Sequence, residues 1–209
     1  MSKIFFFVDG FNLYHALDRA QGAPDPHRYR KFKWLSLTKL ANCFITKKDQ
    51  IAGIEYFTTL ATWDPGKVAR HRLYIKAQEE EGVRVVYGEF KRKDKRCALC
   101  KKIFQSVEEK QTDVNIALRL FQLAVEGRYD KAIIVSGDTD LIPAIKAVQS
   151  TFPGKQMGVM IPIGRASEAM KNQADFHYKM KEKHLVACRF PDPFTLRDGT
   201  VLNCPPTWK

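Results

Sequence analysis

Residues 129–147, YDKAIIVSGDTDLIPAIKA, decide how the rest of the chain is read. The apolar run from Ala132 to Val135 is long enough for a buried strand. Asp140, followed by Leu141, Pro143 and Ile145, predicts the capped start of a helix. Between the two lies SGDTD, which sets Asp138 and Asp140 two residues apart. A strand that breaks at small residues and then enters a helix puts its last polar side chains at the carboxyl edge of a sheet, where open α/β folds keep ligands. Grouping acids there gains no hydrophobic contact, and their repulsion is most simply offset by a bound cation.

Working outward, the same pattern recurs. The apolar run from Ile4 to Val8 ends at Asp9-Gly10 and predicts a central strand buried on both faces, followed by a helix from Asn12 to Ala20. A second helix is expected over Ser36 to Thr46, and a strand over Ile51 to Leu60. A helix opened by Asp64-Pro65 then runs to Gly82, and another strand covers Val83 to Phe90. Thr112 is expected to cap a helix that begins at Asp113 and ends near Gly127. Gln156 to Ile163 reads as the last parallel strand, Ser167–Met170 and Ala174–Tyr178 as a short helix or broken helical surface, and the proline-bearing tail from Phe190 as a segment that either wraps the body or stays partly mobile. Strand-helix-strand repeats of this kind predict an α/β fold with a mostly parallel central sheet and right-handed crossovers.

The 209 residues, 44% of them hydrophobic, suit one compact domain with appendages: a body over 1–180, a basic insertion at 91–110 bearing a Cys-x-x-Cys, and a C-terminal extension, 181–209, that could dock on that insertion. A formal charge of +12 favours polyanionic partners. No apolar stretch approaches a membrane span, and MSKIFFFVDG is too short and too soon acidic for a secretory signal. Five cysteines without an export signal point to reduced thiols and a cytoplasmic location.

Four carboxylates form the candidate catalytic set: Asp9 after the first strand, Asp113 in the first turn of a helix, and Asp138 with Asp140 after the 132–135 strand. A doubly wound sheet brings such strand ends together where the crossover direction changes. Hard oxygen ligands of this kind suit Mg²⁺ or Mn²⁺, and Mg²⁺ keeps waters and borrows phosphate oxygens. Three of the four also have a plain structural role open to them: an Asx turn for Asp9, dipole compensation for Asp113, a helix cap for Asp140. Asn12, Ser136 and Thr139 could contact a phosphate, as could the cations Lys110, Arg92 and Arg96, while Gly137 permits a tight turn.

Three stretches, FFVDGFNLYHAL (6–17), EEKQTDVNIALRLFQLA (108–124) and YDKAIIVSGDTDLIPAIKAVQ (129–149), together resemble the NYN domains of the PIN-like nuclease superfamily, in particular the LabA-like branch. Asp9 and Asn12 match the first acidic element, Asp113 the acid that opens the middle helix, and Asp138 and Asp140 the S-G-D-x-D element. The resemblance implies a three-layer PIN-like (Rossmannoid) fold and metal-dependent ribonuclease activity. The alternative it implies is a catalytically weak RNA-binding or regulatory module. Phosphomonoester chemistry ranks lower, because the first acidic element lacks a paired D-x-D. One or two divalent ions held by Asp9, Asp113, Asp138 and Asp140 would activate water and stabilise the departing oxygen.

Two further expectations concern the periphery. Cys97, Cys100, His184 and Cys188 could form a structural zinc site that pins the insertion to the C-terminal segment. A redox dithiol, or simply free cysteines, fits the same residues. The basic insertion could track an RNA backbone, with 27–33 as a second rim on which Tyr29 or Phe32 stacks a base. Flexible or single-stranded RNA is favoured over duplex DNA because no recognition helix is evident. A homodimer is left open.

Overall fold

The computed structural model describes residues 1–19, 24–96 and 98–209. Its core is a six-stranded sheet of β1 (Ser2–Asp9), β2 (Asp49–Thr58), β3 (Arg84–Tyr87), β6 (Lys131–Val135), β7 (Gln156–Ile161) and β8 (Phe176–Lys179). The strand order is β3-β2-β1-β6-β7-β8, and every neighbouring pair is parallel. With the hairpin strands β4 (Glu89–Arg96) and β5 (Ile103–Lys110) set aside in their own antiparallel sheet, this is the doubly wound order, and its direction reverses between β1 and β6. The α/β, mostly parallel architecture expected from the sequence is the one observed.

Strand alternation explains the layers. Ile4, Phe6 and Val8 of β1 face one core, which α1 (Gly10–Asp18), α2 (Leu37–Asn42) and α3 (Pro65–Glu80) cover together with the C-terminal tail. Phe5 and Phe7 face a second core under α4 (Thr112–Val125) and α5 (Ile142–Thr151). Phe7 is fully buried, and its truncation would open a cavity of the kind that costs about 3–5 kcal/mol. One charge sits inside this packing. Glu55 of β2, 1% exposed, receives Arg119 of α4 through two hydrogen bonds of 3.1 and 2.6 Å.

Close approach at two glycines shapes the sheet's carboxyl edge. A Cβ on Gly10 would lie 2.6 Å from the Phe57 carbonyl oxygen and 2.6 Å from the Tyr56 ring, so only glycine lets α1 start directly against β2. At Gly88 a Cβ would meet the Lys110 carbonyl at 2.9 Å. The strand expected over 83–90 therefore breaks there, into β3 within the sheet and β4 in the hairpin.

Several local expectations are corrected. Residues 174–178 belong to no helix: α6 (Glu168–Gln173) ends first, and β8 extends the sheet beyond β7, with Phe176 and Tyr178 packed on the core in strand alternation. Asp140 does not cap α5. Asp138 caps a 3-10 turn over 139–141 by accepting from the Asp140 N–H, and α5 follows with Pro143 in its first turn. Thr112 does not cap α4 either, since its hydroxyl donates to Glu109 and the residue before the helix, Gln111, is left-handed at φ 76°. Cys43, which a place on the helix expected over Ser36 to Thr46 would bury, is exposed, just beyond α2. The helix expected to run from Asn12 to Ala20 starts at Gly10, and Ala20 lies outside the described residues.

The tail wraps the body, and its contacts go to the α2 and α3 side. The Ser36 N–H donates to Cys188 O and the Phe190 N–H to Trp34 O, Trp34 Nε1 reaches Pro191 O, and Arg197 pairs with Glu80. The two-residue strands β9 (Phe194–Thr195) and β10 (Val201–Leu202) close a small hairpin, and Trp208 packs edge-on to Tyr74. These anchors tie 181–209 to residues 34–36 and 80. Among the described residues no helix is long and apolar enough to cross a membrane.

Candidate active site

The reversal in strand order puts the carboxyl ends of β1 and β6 side by side, Val8 opposite Val135. Asp9 follows at once and is 3% exposed. Its Oδ1 accepts from the Asn12 N–H at 2.9 Å, capping α1, and its Oδ2 accepts from the Ser136 hydroxyl at 2.8 Å across the junction. Ser136, fully buried, also takes the Asp138 N–H on its oxygen at 3.0 Å. Asn12 completes the stitch by accepting the Gly137 N–H on Oδ1 at 3.1 Å. That bond fixes the amide's orientation and turns its NH₂ away from Gly137.

Electrostatics identifies which acids share this corner. Burial pushes the Asp9 carboxyl up to about 6, the bonds from Asn12 and Ser136 pull it back, and Asp113 and Asp138 add to the rise. Burial likewise pushes Asp113 to about 6, with Asp138, Glu109 and Asp140 adding to it. Asp138 is thus the common neighbour of the buried Asp9 and the half-buried Asp113 at the start of α4, while Asp140 and Thr139 stand exposed on the 3-10 turn. Glu109, at the base of the hairpin, was not foreseen as a member; its placement two residues before a left-handed Gln111 is a tertiary fact. Among the described residues no three of His, Cys, Asp and Glu gather closely enough to form a preassembled metal cage.

The peripheral expectations fare differently. Lys110 is exposed and pairs with Glu108 at 3.3 Å, Arg96 donates to the Lys101 carbonyl at 3.0 Å, and Arg92 is exposed on β4. In the 27–33 segment Phe32 is 3% exposed, and Lys33 and Arg30 are both engaged by Asp18, so that stretch offers no free stacking platform through Phe32. For the zinc set, Cys100, His184 and Cys188 fall in no metal-holding group among the described residues, and Cys97 lies outside them. Cys188 instead sits 3.3 Å from the Cys43 sulfur, and burial with that neighbour pushes its thiol up to about 12. His184 accepts the N–H of Lys181, the residue that precedes α7 (Glu182–Ala187), on Nδ1 at 3.1 Å.

Beside the acidic corner, on the α1 side, lies a cavity of about 340 Å³. α1 lines it with Gly10, Leu13, Tyr14 and Leu17, and α3 with Lys67, Arg70, His71 and Tyr74; each set follows the i, i+3, i+4, i+7 stripe. His71 Nε2 lies 3.1 Å from the Thr58 hydroxyl and 3.4 Å from Tyr56 OH, and burial holds its imidazole down at about 4. The sequence reading missed this site. Its signal was α3 itself, where no apolar stripe runs the length of the helix: Lys67, Arg70 and His71 line the cavity from the first half, and the buried Tyr74, Ile75, Ala77 and Gln78 all lie in the second.

With the corner's geometry in place, the comparison with known families is decisive: residues 3–181 match the model of the NYN domain. The chain belongs to the NYN domain family. This family is part of the PIN-like nuclease superfamily, and the assignment supports a PIN-like nuclease fold for the described sheet. The NYN chain is also 24% identical over 242 residues to 6-hydroxy-3-succinoylpyridine 3-monooxygenase HspA of Pseudomonas putida, an alignment covering 97% of this chain and 74% of that protein. Its structure is similar to the crystal structure of VPA0982, a Vibrio parahaemolyticus protein of unknown function. The TM-score is 0.57 at 20% identity, over 87% of this chain and 94% of that one, a likeness of fold alone.

Proposed function

We propose that this NYN domain hydrolyses RNA phosphodiester bonds at the Asp9–Asp113–Asp138 corner with a divalent metal ion. The observation that carries the reading is the shared field of these acids at a strand-order reversal, where Asp113 feels Asp138, Glu109 and Asp140 together. A fold gains nothing from that repulsion, and a cation offsets it. The donors are all hard oxygens, which fits Mg²⁺ or Mn²⁺ held by one or two carboxylates with retained water, a mode that needs no closed cage. Asp9 and Asp138 are the first ligands proposed, with Asp113 and Asp140 acting directly or through water. When bound, such an ion neutralises charge building on the phosphate and the departing oxygen. The chain's own groups position the substrate: Ser136 holds Asp9, and the Asn12 NH₂ is available to donate to a phosphate oxygen. Thr139 and the cations Lys110, Arg92 and Arg96 are proposed contacts along the strand.

The test is cleavage of single-stranded and structured RNAs with Mg²⁺ or Mn²⁺, against EDTA and Asp138→Asn. Metal-dependent cleavage lost in the variant is the expected result. No cleavage of any substrate, with RNA affinity retained, would select an RNA-binding or regulatory module in its place.

A second reading has its own support: the relative named as a monooxygenase of 6-hydroxy-3-succinoylpyridine, and a cavity rich in aromatic side chains next to the acidic corner. Incubation with that pyridine, dioxygen and a reduced nicotinamide discriminates. Consumption of the pyridine's absorbance without RNA cleavage would put oxygenation ahead of hydrolysis.

A further inference from the structure

The cavity between α1 and α3 has the wrong lining for a packing defect. Tyr56 and Tyr74 are buried in its wall, while Tyr14 and Trp63 are 39% and 40% exposed, and Phe90 of the hairpin meets Trp63 edge-on at 4.7 Å. Rings therefore run from wall to surface, the arrangement that stacks a planar guest. At about 340 Å³ it exceeds the roughly 150 Å³ that accepts benzene, which leaves room for a ring with substituents.

Charge narrows the guest further. No Asp or Glu lines the cavity, whereas Lys33, Lys67 and Arg70 do. Lys33 is committed to Asp18, and Lys67 is 3.6 Å from Asp64; no ion pair holds Arg70 among the described residues. Beside Arg70 on the same stripe, His71 uses Nε2 on the Thr58 and Tyr56 hydroxyls, and among the described residues its Nδ1 makes no hydrogen bond. A neutral imidazole nitrogen beside stacked rings can recognise a ring nitrogen or exocyclic group.

We propose that this cavity binds a planar heteroaromatic ring that carries an anionic group, the ring stacked among Tyr14, Tyr56 and Trp63 and the anion met by Arg70 and Lys67. Either an RNA nucleotide or a free heteroaromatic acid supplies that chemistry. The claim concerns binding and stands apart from either reaction, so a chain that cleaves nothing is still judged by it.

The experiment titrates the full chain with uridine 5′-monophosphate and, separately, with nicotinate, reading quenching of tryptophan fluorescence from Trp63 at the mouth and Trp208 in the wall. Inorganic phosphate and the uncharged nicotinamide are the competitors. Saturable quenching by one or both anionic rings, with weak competition from phosphate or nicotinamide alone, is the expected result. Saturation by the nucleotide only assigns the site to RNA, and by nicotinate only to a free acid. No saturation by either, or phosphate competing as well as the nucleotide, overturns the proposal. Arg70→Gln, a half-buried position that leaves the rings in place, is expected to weaken binding about tenfold, the loss of one charge-assisted contact. Trp63→Ala should do the same without touching the charge. Unchanged affinity in both variants would move the ligand elsewhere and refute the placement.

Discussion

Replacing His71 with Gln tests the cavity's electrostatics through stability alone. Burial holds the imidazole at about 4, against an ordinary value of 6.5. Above pH 6.5 the side chain is neutral in both folded and unfolded chains and contributes its full share. As pH falls, the unfolded chain takes up a proton that the folded chain refuses, so stability is lost from about 6.5 down through about 4. Between about pH 7.5 and about pH 4.5 the loss amounts to about 2.5 kcal/mol at 1.36 kcal/mol per unit. Asp9 and Asp113, both raised to about 6, act in the opposite direction over much of the same window. The raw pH profile is therefore a sum of opposing terms, and the difference between wild type and His71→Gln isolates the imidazole. Urea titrations at a series of pH values in EDTA supply that difference. With a slope of about 2–3 kcal/mol per M, the gap between the two midpoints should change by roughly 1 M across the window. A difference in stability constant to within about 0.5 kcal/mol would mean that His71 is hydrated and freely protonated, and burial would not be what holds its imidazole down.

Three other substitutions probe how the corner is built. Ser136→Ala removes the hydroxyl that joins Asp9 to the Asp138 backbone; about 2–3 kcal/mol should be lost, a fall in Tm of roughly 4–12 °C by calorimetry, and an unchanged Tm would deny the stitch any weight. Arg119→Ala leaves Glu55 buried with only Arg84 at 3.5 Å and should cost about 3–5 kcal/mol, much of it recovered when Glu55→Gln is added. Additive losses in that double-mutant cycle would refute the pairing. Gly10→Ala, in a helix where alanine normally gains up to about 1 kcal/mol, should instead destabilise by several, since the new methyl meets backbone at 2.6 Å; a neutral effect on thermal unfolding would contradict the close approach.

What could be read from the chain beforehand divides along physical lines. β1 and β6 were legible because a strand buried on both faces must be continuously apolar, as 4–8 and 132–135 are. The start of α3 was legible because Asp64 and Pro65 specify it locally, and Asp64 does accept the Lys67 N–H. Asp9, Asp113 and Asp138 could be nominated from their positions at element ends. β8 was not legible: four residues with Phe and Tyr alternating against His and Lys look equally like a frayed helix until β7 supplies a partner. The caps were misassigned for a related reason. In SGDTD either aspartate can cap, and only the 3-10 turn decides that Asp138 does. The contact that buries Cys188 beside Cys43 was not legible either, because it joins residues 145 apart in the chain. The cavity escaped notice because its lining comes from separate elements, α1, β2, α3, the hairpin and Trp208, which only the fold brings together.

The hairpin meets the body through a very short lever. β5 ends at Lys110, Gln111 turns left-handed, and Asp113 follows within the first turn of α4. On the other strand, Gly88 is pinned to Thr58 by its N–H at 2.8 Å, so the ribbon leaves the body from two adjacent fixed points. Any partner that grips the cationic ribbon and bends it applies torque next to one of the acids of the corner. The shortness of that connection leaves little slack between the arm and the start of α4.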